Sequence, residues 1–457
     1  MNLENKNIIM AQKIAAAVDE AGGKTYFVGG FVRDLLMGLE NKDVDIEVHG
    51  ITPQALFAIL DTVGERLNIG ASFGILGLRH YELDISMPRT EKAIGRGHRD
   101  FEICVDPFLG EEKAAVRRDF TMNALMQNVL TGEVLDFFGG REDMRAKVVR
   151  HVSDATYLED PLRVLRAAQF AARFQFTVAE ETTALSSGAA LTALPGERVM
   201  GELEKALRKA EKPSVFFEEL RKMGQLSDWF PEVEALIGVK QRPDFHPEGD
   251  VWNHTMQVLD EAAALRERSE HPLYLMLTAL CHDFGKAIVS EEIDGVLHAH
   301  NHEVVGLPVA ETFLRRLTKE KKLIEYVLGL TRCHMQPNWL VSGHAHTKSF
   351  MKMFYQTPYP EDLLLLSKAD YLGRLGAGEA REEKAAAYAP VEKKLGEMLA
   401  LYHERMSLPY VTGQDLIDAG LKPGNAMGDV LDYALKLRLA GVPKEEQLKQ
   451  ALAVYDK

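Results

Sequence analysis

Hydrophobic residues change their spacing part-way along this chain. Up to about residue 150, short β-like runs alternate with helical ones. Tyr26-Phe-Val28, Val44-Asp-Ile-Glu-Val48 and the run from Ile75 to Ile85 read as strands. Gly29-Gly30 breaks the first, and an amphipathic helix carrying Val32, Leu35 and Leu36 follows. From about Pro161 onward the period is helical, as in Leu162-Arg-Val-Leu-Arg-Ala-Ala-Gln-Phe-Ala-Ala-Arg-Phe174. At 457 residues the chain also exceeds one ordinary core. Pro and Gly clusters break the helical part near 239–250 and 408–413. The expected fold is multidomain: an α+β head over 1–150, a helical neck over 151–238, a His-rich helical domain over 239–385 and a helical tail over 386–457.

Hydrophobic residues at 46% and charged residues at 27% are the values of a soluble globular protein. No stretch approaches the roughly 20 apolar residues that cross a bilayer, and the first residues lack a signal-peptide pattern. Cys104, Cys281 and Cys333 are odd in number and far apart, so a reducing cytoplasm is expected. The net charge of −14 argues against nonspecific coating of nucleic acid. One basic stretch stands out within that acidic whole: Arg89, Lys92, Arg96, His98, Arg99, Lys113, Arg117 and Arg118.

Asp43-Val-Asp45 lies in a strand-like run, so both carboxylates share one face, roughly 6.6 Å apart along the chain. Such a pair suits Mg2+, and paired Mg2+ ions can activate an attacking hydroxyl and neutralise leaving pyrophosphate. Alternating acids on a solvated strand look the same. Gly29-Gly30, between a strand and a helix, is either a phosphate cradle or a tight turn. Arg33 and Asp34 fall in the first turn of that helix. Asp84 is either a third carboxylate of the set or an exposed strand end.

Gly29-Gly-Phe-Val-Arg-Asp34, Asp43-Val-Asp45 and Arg117-Arg-Asp-Phe-Thr-Met-Asn-Ala124 follow one another in order. Together they resemble the class II tRNA nucleotidyltransferases and the related bacterial poly(A) polymerases. The resemblance implies a polymerase-β-like head in which Asp43, Asp45 and Asp84 are catalytic, with Mg2+ on Asp43 and Asp45. Gly29, Gly30 and Arg33 would hold the triphosphate. Arg117, Arg118, Asp119 and Asn123 would contact the sugar and phosphates of the incoming nucleotide. Asp136, Gly139, Gly140 and Asp143 match the family's hinge between head and neck.

Glu159-Asp-Pro-Leu-Arg163 reads first as a helix start, with acids and Pro where the helix dipole favours them. Asp160 and Arg163 are also three apart, hence neighbours on a helix face. A carboxylate can accept from the amine of cytosine or adenine, and a guanidinium can donate to the ring acceptors beside it. This pair is similar to the family's Glu-Asp-x-x-Arg motif, which implies a protein template selecting CTP and ATP, with Arg166 a further motif arginine. Gln169 stands where many relatives have Arg. Residues 89–117 resemble the family's full-length flexible loop, linked to the switch from C to A.

In the His-rich part, His254, His282-Asp283 and Asp370 come in that order, with Lys286 after the pair. Imidazoles with carboxylates suit Mn2+, Ni2+ or Co2+. The ordering resembles the HD phosphohydrolases, which makes these four residues metal ligands. His302 and His334 either widen the site to a second metal or are structural, and Lys286 is a candidate for holding a substrate phosphate. His246-Pro-Glu-Gly-Asp250 and Lys368-Ala-Asp-Tyr-Leu-Gly-Arg374 look like signatures of the tRNA nucleotidyltransferases that carry such a domain. The resemblance implies hydrolysis of 2′,3′-cyclic phosphates, 2′-nucleotides or terminal phosphates. The tail from Val411 looks like a helical grip on tRNA.

The expected activity is therefore addition of CCA, or of its terminal A, to tRNA from CTP and ATP. The alternatives are a poly(A) polymerase, an A-adding enzyme working with a separate CC-adding one, and a hydrolase whose head only binds nucleotide. The Asp160/Arg163 pair and the lack of a basic C-terminal extension favour tRNA. No membrane and no obligatory protein partner are expected.

Overall fold

The computed structural model describes residues 5–41, 43–70, 75–93 and 101–455. Its contacts divide into two compact units, Met1–Leu194 with Val215–Gln225, and Pro195–Ser214 with Leu226–Lys457. Residues 151–194 of the expected neck thus lie in the first unit, and the boundary drawn at 385 falls inside the helix Arg381–Ser407. Among the described residues, no helix is long and apolar enough to cross a membrane.

The first unit is built on a mixed sheet. The unit's first nine strands, in chain order, are β1 (Lys24–Val28), β2 (Val44–His49), β3 (Arg66–Gly70), β4 (Ile75–Leu78), β5 (Leu83–Ser86), β6 (Arg89–Ala93), β7 (Phe101–Val105), β8 (Met126–Asn128) and β9 (Val134–Leu135). The spatial order is β3-β4-β5-β2-β1-β8-β9, while β6 and β7 form a separate antiparallel hairpin. Strand alternation explains the layering. Val44, Ile46 and Val48 of β2 bury one face against α1 (Lys6–Glu20) and α3 (Pro53–Val63). Asp45 and Glu47 therefore turn to the other face. The β2–β5 pairing is parallel and sets Asp45 opposite Asp84.

The run Ile75–Ile85, expected as one strand, is instead the two strands β4 and β5, paired antiparallel through Leu76 and Ile85. The polar stretch Arg79–Glu82 makes the turn: His80 adopts φ 74°, and the Tyr81 N–H donates to the Leu78 carbonyl. Asp84 consequently lies within a sheet strand rather than at the end of a run.

The second unit is mostly helical. Its centre is the helix Val251–Leu265 packed on Pro272–Cys281 and Pro360–Leu372. Asp250 starts the first of these, accepting the Asn253 N–H on its side chain. A short hairpin, Glu291–Ile293 with Val296–His298, interrupts the helical pattern. The sequence period did not reveal it, because its strands are three residues each.

Candidate metal centres

The carboxylate face of β2 and β5 opens on a cavity of about 290 Å3 in the first unit. Asp45, Asp84, Glu47, Arg89, Arg117 and Arg118 line it. Burial pushes the Asp45 carboxyl up to about 6, with Asp84 and Asp43 adding to the effect and Arg118 opposing it. Asp84 is raised as well, by burial and then by Asp43. A half-buried carboxylate raised by burial and by acidic neighbours is a poor arrangement alone and a good one around a divalent cation. Asp43 is exposed just before β2, where its N–H donates to Asn41 Oδ1.

Gly29 explains how the β1 turn reaches this face. Its φ is +66°, and a Cβ there would come within 3.2 Å of Arg118 Nη1 and 3.8 Å of Asp45 Oδ2. Gly30 begins helix α2 (Gly30–Leu36). Arg33, expected at the triphosphate, is instead buried. It donates to Asp34 Oδ1 and Asn123 Oδ1, both at 2.7 Å, and packs on the Phe170 and Phe174 rings. Asn123 in turn donates to Asp119 Oδ1, and Arg166 Nε donates to Asp119 Oδ2 at 2.8 Å. Burial alone would raise Asp119, but Arg166 and these hydrogen bonds outweigh it and hold the carboxyl below its ordinary range. Arg33, Asn123, Asp119 and Arg166 thus form a connected scaffold, and they do not line the cavity.

Asp160 lies just before the helix Leu162–Phe174, its Oδ1 accepting the Leu162 N–H. Arg163 donates to the carbonyls of Thr156 and Arg117. Both are half-buried and neither lines the cavity. Gln169 is 1% exposed and its Nε2 makes no hydrogen bond, so it does not reach a solvent-borne phosphate from this position. In the hinge motif, Asp136 accepts the N–H groups of Gly140 and Arg141, and Asp143 accepts Thr121 Oγ1 at 2.7 Å. Of the basic stretch, Arg117 donates to the Arg89 carbonyl, whereas Gly95, Arg96, Gly97, His98 and Arg99 lie outside the described residues.

Glu47 was not singled out from the sequence. It is 8% exposed, with Oε1 2.9 Å from His49 Nε2 and Oε2 3.5 Å from Arg118. Burial would raise it, but the His49 hydrogen bond and Arg118 keep it below the ordinary carboxylate range. Its signal was present: it continues the Asp43, Asp45 alternation.

The second unit brings together every histidine and aspartate expected there. His254 Nε2 lies 3.1 Å from Asp370 Oδ1 and 3.4 Å from His282 Nε2. His302 Nε2 and His334 Nε2 are 3.4 Å apart, and 3.2 and 3.6 Å from Asp283 Oδ1. Asp283 Oδ2 sits 3.3 Å from His282 Nε2 and 3.5 Å from His254 Nε2. Donor atoms therefore form two clusters, His254–His282–Asp370 and Asp283–His302–His334, with Asp283 reaching both.

Backbone carbonyls fix the rings. Nδ1 of His282, His302 and His334 lies 2.7–2.9 Å from the carbonyls of Ala279, Ala299 and Thr331. An Nδ1–H donating there leaves the Nε2 lone pairs converging on the centre. At His254 the nearest group is Glu248, whose Oε1 is 2.8 Å from Nδ1 without the alignment of a hydrogen bond, and equally far from His246 Nδ1. Neither Asp283 oxygen receives an aligned hydrogen bond, though Lys286 Nζ is 2.7 Å from Oδ2. Burial would raise Asp283 and Asp370, but Lys286 and His282 at the first, and Arg374 and His254 at the second, hold both well below the carboxylate range. Converging imidazole lone pairs and an unsatisfied buried carboxylate fit divalent metal binding. Lys286, expected to hold a phosphate, is buried and also donates to Gln241 Oε1 at 2.7 Å. Glu248 and Arg374 had no assigned role in the sequence, although both lie inside its quoted signatures.

Comparison with known proteins gives a consistent answer for both units. The family model described as the Poly A polymerase head domain matches residues 25–150, and that of the HD domain matches 251–375. The chain is 35% identical over 377 residues to the "Multifunctional CCA protein" of Actinobacillus pleuropneumoniae serotype 5b (strain L20), covering 80% of this chain and 89% of that one. It is 41% identical over 332 residues to the protein of that name from Ralstonia nicotianae (strain ATCC BAA-1114 / GMI1000), covering 70% and 74%. Among solved structures, the Thermotoga maritima CCA-adding enzyme complexed with tRNA shares the fold, with TM-score 0.64 at 21% identity over 98% of this chain and 95% of that one.

Proposed function

The chain belongs to the family of multifunctional CCA proteins, and from that premise we propose that it adds CCA to the 3′ end of tRNA from CTP and ATP. The observation that carries this reading is the cavity where Asp45 and Asp84 face Arg117 and Arg118. Asp43, Asp45 and Asp84 would hold Mg2+, which when bound activates the attacking hydroxyl and neutralises the leaving pyrophosphate. Arg117 and Arg118 orient the triphosphate, since guanidinium forks match phosphate oxygens. Gly29 lets the backbone approach without a side chain in the way. Arg33, Asp119, Asn123 and Arg166 hold that floor in place. Asp160 and Arg163 select cytosine and adenine by their amine and ring acceptors.

The second centre supports phosphohydrolase action on phosphate esters such as 2′,3′-cyclic phosphates, 2′-nucleotides or terminal phosphates. His254, His282, Asp283 and Asp370, with His302 and His334, would hold Mn2+, Ni2+ or Co2+. The metal when bound polarises the phosphoryl group and supplies a nucleophile at neutral pH. Lys286 and Arg374 line the cavity beside the ligands Asp283 and Asp370 and offset phosphate charge. The four-part division into head 1–150, neck 151–238, HD domain 239–385 and tRNA-binding tail 386–457 remains our functional reading, with action in the cytoplasm.

The test is primer extension at single-nucleotide resolution on tRNA transcripts ending before CCA or in CC, with Mg2+ and CTP, ATP or both. Addition of C, C and A followed by a stop is expected. Addition of A alone to the CC end would make this an A-adding enzyme, and a long A ladder or no product would overturn the reading.

A further inference from the structure

A cavity of about 470 Å3 lies over the second centre, and its wall changes character from floor to rim. The floor carries Asp283, His302, His334 and Asp370, with the cations of Lys286 and Arg374. The rim is aromatic. Trp339 is 74% exposed and Phe245 56% exposed, and both line the cavity. The other two tryptophans, Trp229 and Trp252, are buried. An indole left in water beside a charged floor is an arrangement that burial does not explain.

Position fits as well. Trp339 follows His334 by five residues, through backbone that stays right-handed helical at His334 and Met335. Five helical steps are roughly 7.5 Å along the axis. Two residues that line the cavity each carry a buried amide atom with no hydrogen bond: Gln241 Nε2, a donor, and Asn338 Oδ1, an acceptor. Gln241 Oε1 is already taken by Lys286, and Asn338 Nδ2 points at the Ser367 carbonyl, so both amide orientations are fixed.

Resting on the phosphohydrolase reading above, we propose that this rim is a nucleobase platform. The phosphate of a nucleotide or RNA end sits at the metal-binding floor, the ribose and base edge meet Gln241 and Asn338, and the base stacks on Trp339. Phe245, whose other partner is the Arg242 guanidinium at 4.7 Å, gives a second apolar wall. Stacking tolerates any base, because every base has a π-face.

All three tryptophans emit, but Trp339 is the exposed one, so the part of any quenching that Trp339→Phe removes reports this contact. Adenosine 2′-monophosphate, or a short RNA ending in a 3′-terminal phosphate, quenches emission saturably, whereas ribose 5-phosphate does not. Whichever of the two quenches at lower concentration identifies the source of the base. By calorimetry Trp339→Ala weakens adenosine 2′-monophosphate binding about 10-fold, Trp339→Phe largely restores it, and ribose 5-phosphate binding is unchanged in both. Equal affinity for adenosine 2′-monophosphate in wild type and Trp339→Ala overturns the platform. Hydrolysis of a base-free phosphate ester by wild type keeps the two readings separable. If that activity is present while quenching is absent, the platform alone fails. If it is absent, the hydrolase reading fails.

Discussion

Asp45 offers a sharp test of the head. Replacing it with Asn keeps its size and removes its charge. In the metal-free protein its carboxyl is pushed up to about 6 by burial and by Asp84 and Asp43. Against an ordinary value near 3.8, that corresponds to about 3 kcal/mol of unfavourable ionisation. Partial solvation of the site reduces this, so a cost of about 1–3 kcal/mol is expected. The sign follows from linkage. A carboxyl that holds its proton more tightly when folded contributes stability at low pH, and that contribution is lost as pH rises through about 6.

Asp45→Asn should therefore make the metal-free protein more stable at pH 7.5, by about 1–3 kcal/mol, and no more stable at pH 4. It should also abolish nucleotide addition. The assay is urea unfolding in EDTA at the two pH values, read by hydrogen exchange of the β2 and β5 amides so that the first unit is followed alone. Mg2+ should protect those amides in wild type and not in the variant. A variant that is less stable at pH 7.5, or equally stabilised at both pH values, would show that burial and the neighbouring carboxylates do not raise Asp45 as described.

Other perturbations separate the two centres. Asp283→Ala should abolish phosphate-ester hydrolysis and leave nucleotide addition intact, and Asp45→Ala the reverse; loss of both activities from one folded variant refutes two independent centres. Glu47→Gln should raise KM for CTP and ATP about 5-fold with kcat less affected, because it loosens the ion pair at 3.5 Å that aims Arg118. Gly285→Ala would drive a methyl into the His302 carbonyl, so it should destabilise the second unit by about 1–3 kcal/mol and weaken metal binding measured by calorimetry, with nucleotide addition retained. Adding Mn2+ at about 100 times its dissociation constant should stabilise the second unit by about 3 kcal/mol, measured by thermal melting, and the gain should vanish in Asp283→Ala.

Much of the head was legible because strand alternation is a strict rule: once Val44, Ile46 and Val48 must be buried, Asp45 has to face the other way. What alternation could not give was pairing. The parallel register that sets Asp84 opposite Asp45 depends on a turn at His80, which a β-like composition concealed. Arg33 shows a different limit. Its place in the glycine motif suggested phosphate, but whether a guanidinium faces solvent depends on distant residues, here Asn123 and two rings of the helix Leu162–Phe174. In the second unit all the histidines were legible by type and order. Their pairing into two clusters was not, because it depends on carbonyls such as Ala279 and Thr331 that fix each ring and carry no sequence signal.

The two centres hold their charge in opposite ways, and this bears on what each can do without metal. In the head, like charges face one another and Asp45 is raised, so protonation near pH 6 competes with cation binding. In the second unit, Lys286 and Arg374 already oppose Asp283 and Asp370, which stay ionised. Protons there compete at His254 instead, whose imidazole burial would lower but Asp370 and Glu248 hold above its ordinary value, because metal binding needs its Nε2 lone pair. Metal affinity at the head should therefore fall as Asp45 protonates, and at the second centre as His254 does. A pH titration of Mg2+ protection in β2 and β5, set beside calorimetric Mn2+ binding to Asp45→Ala, distinguishes these dependences. If both affinities fall together across the same pH range, the charge compensation by Lys286 and Arg374 is not what separates the centres.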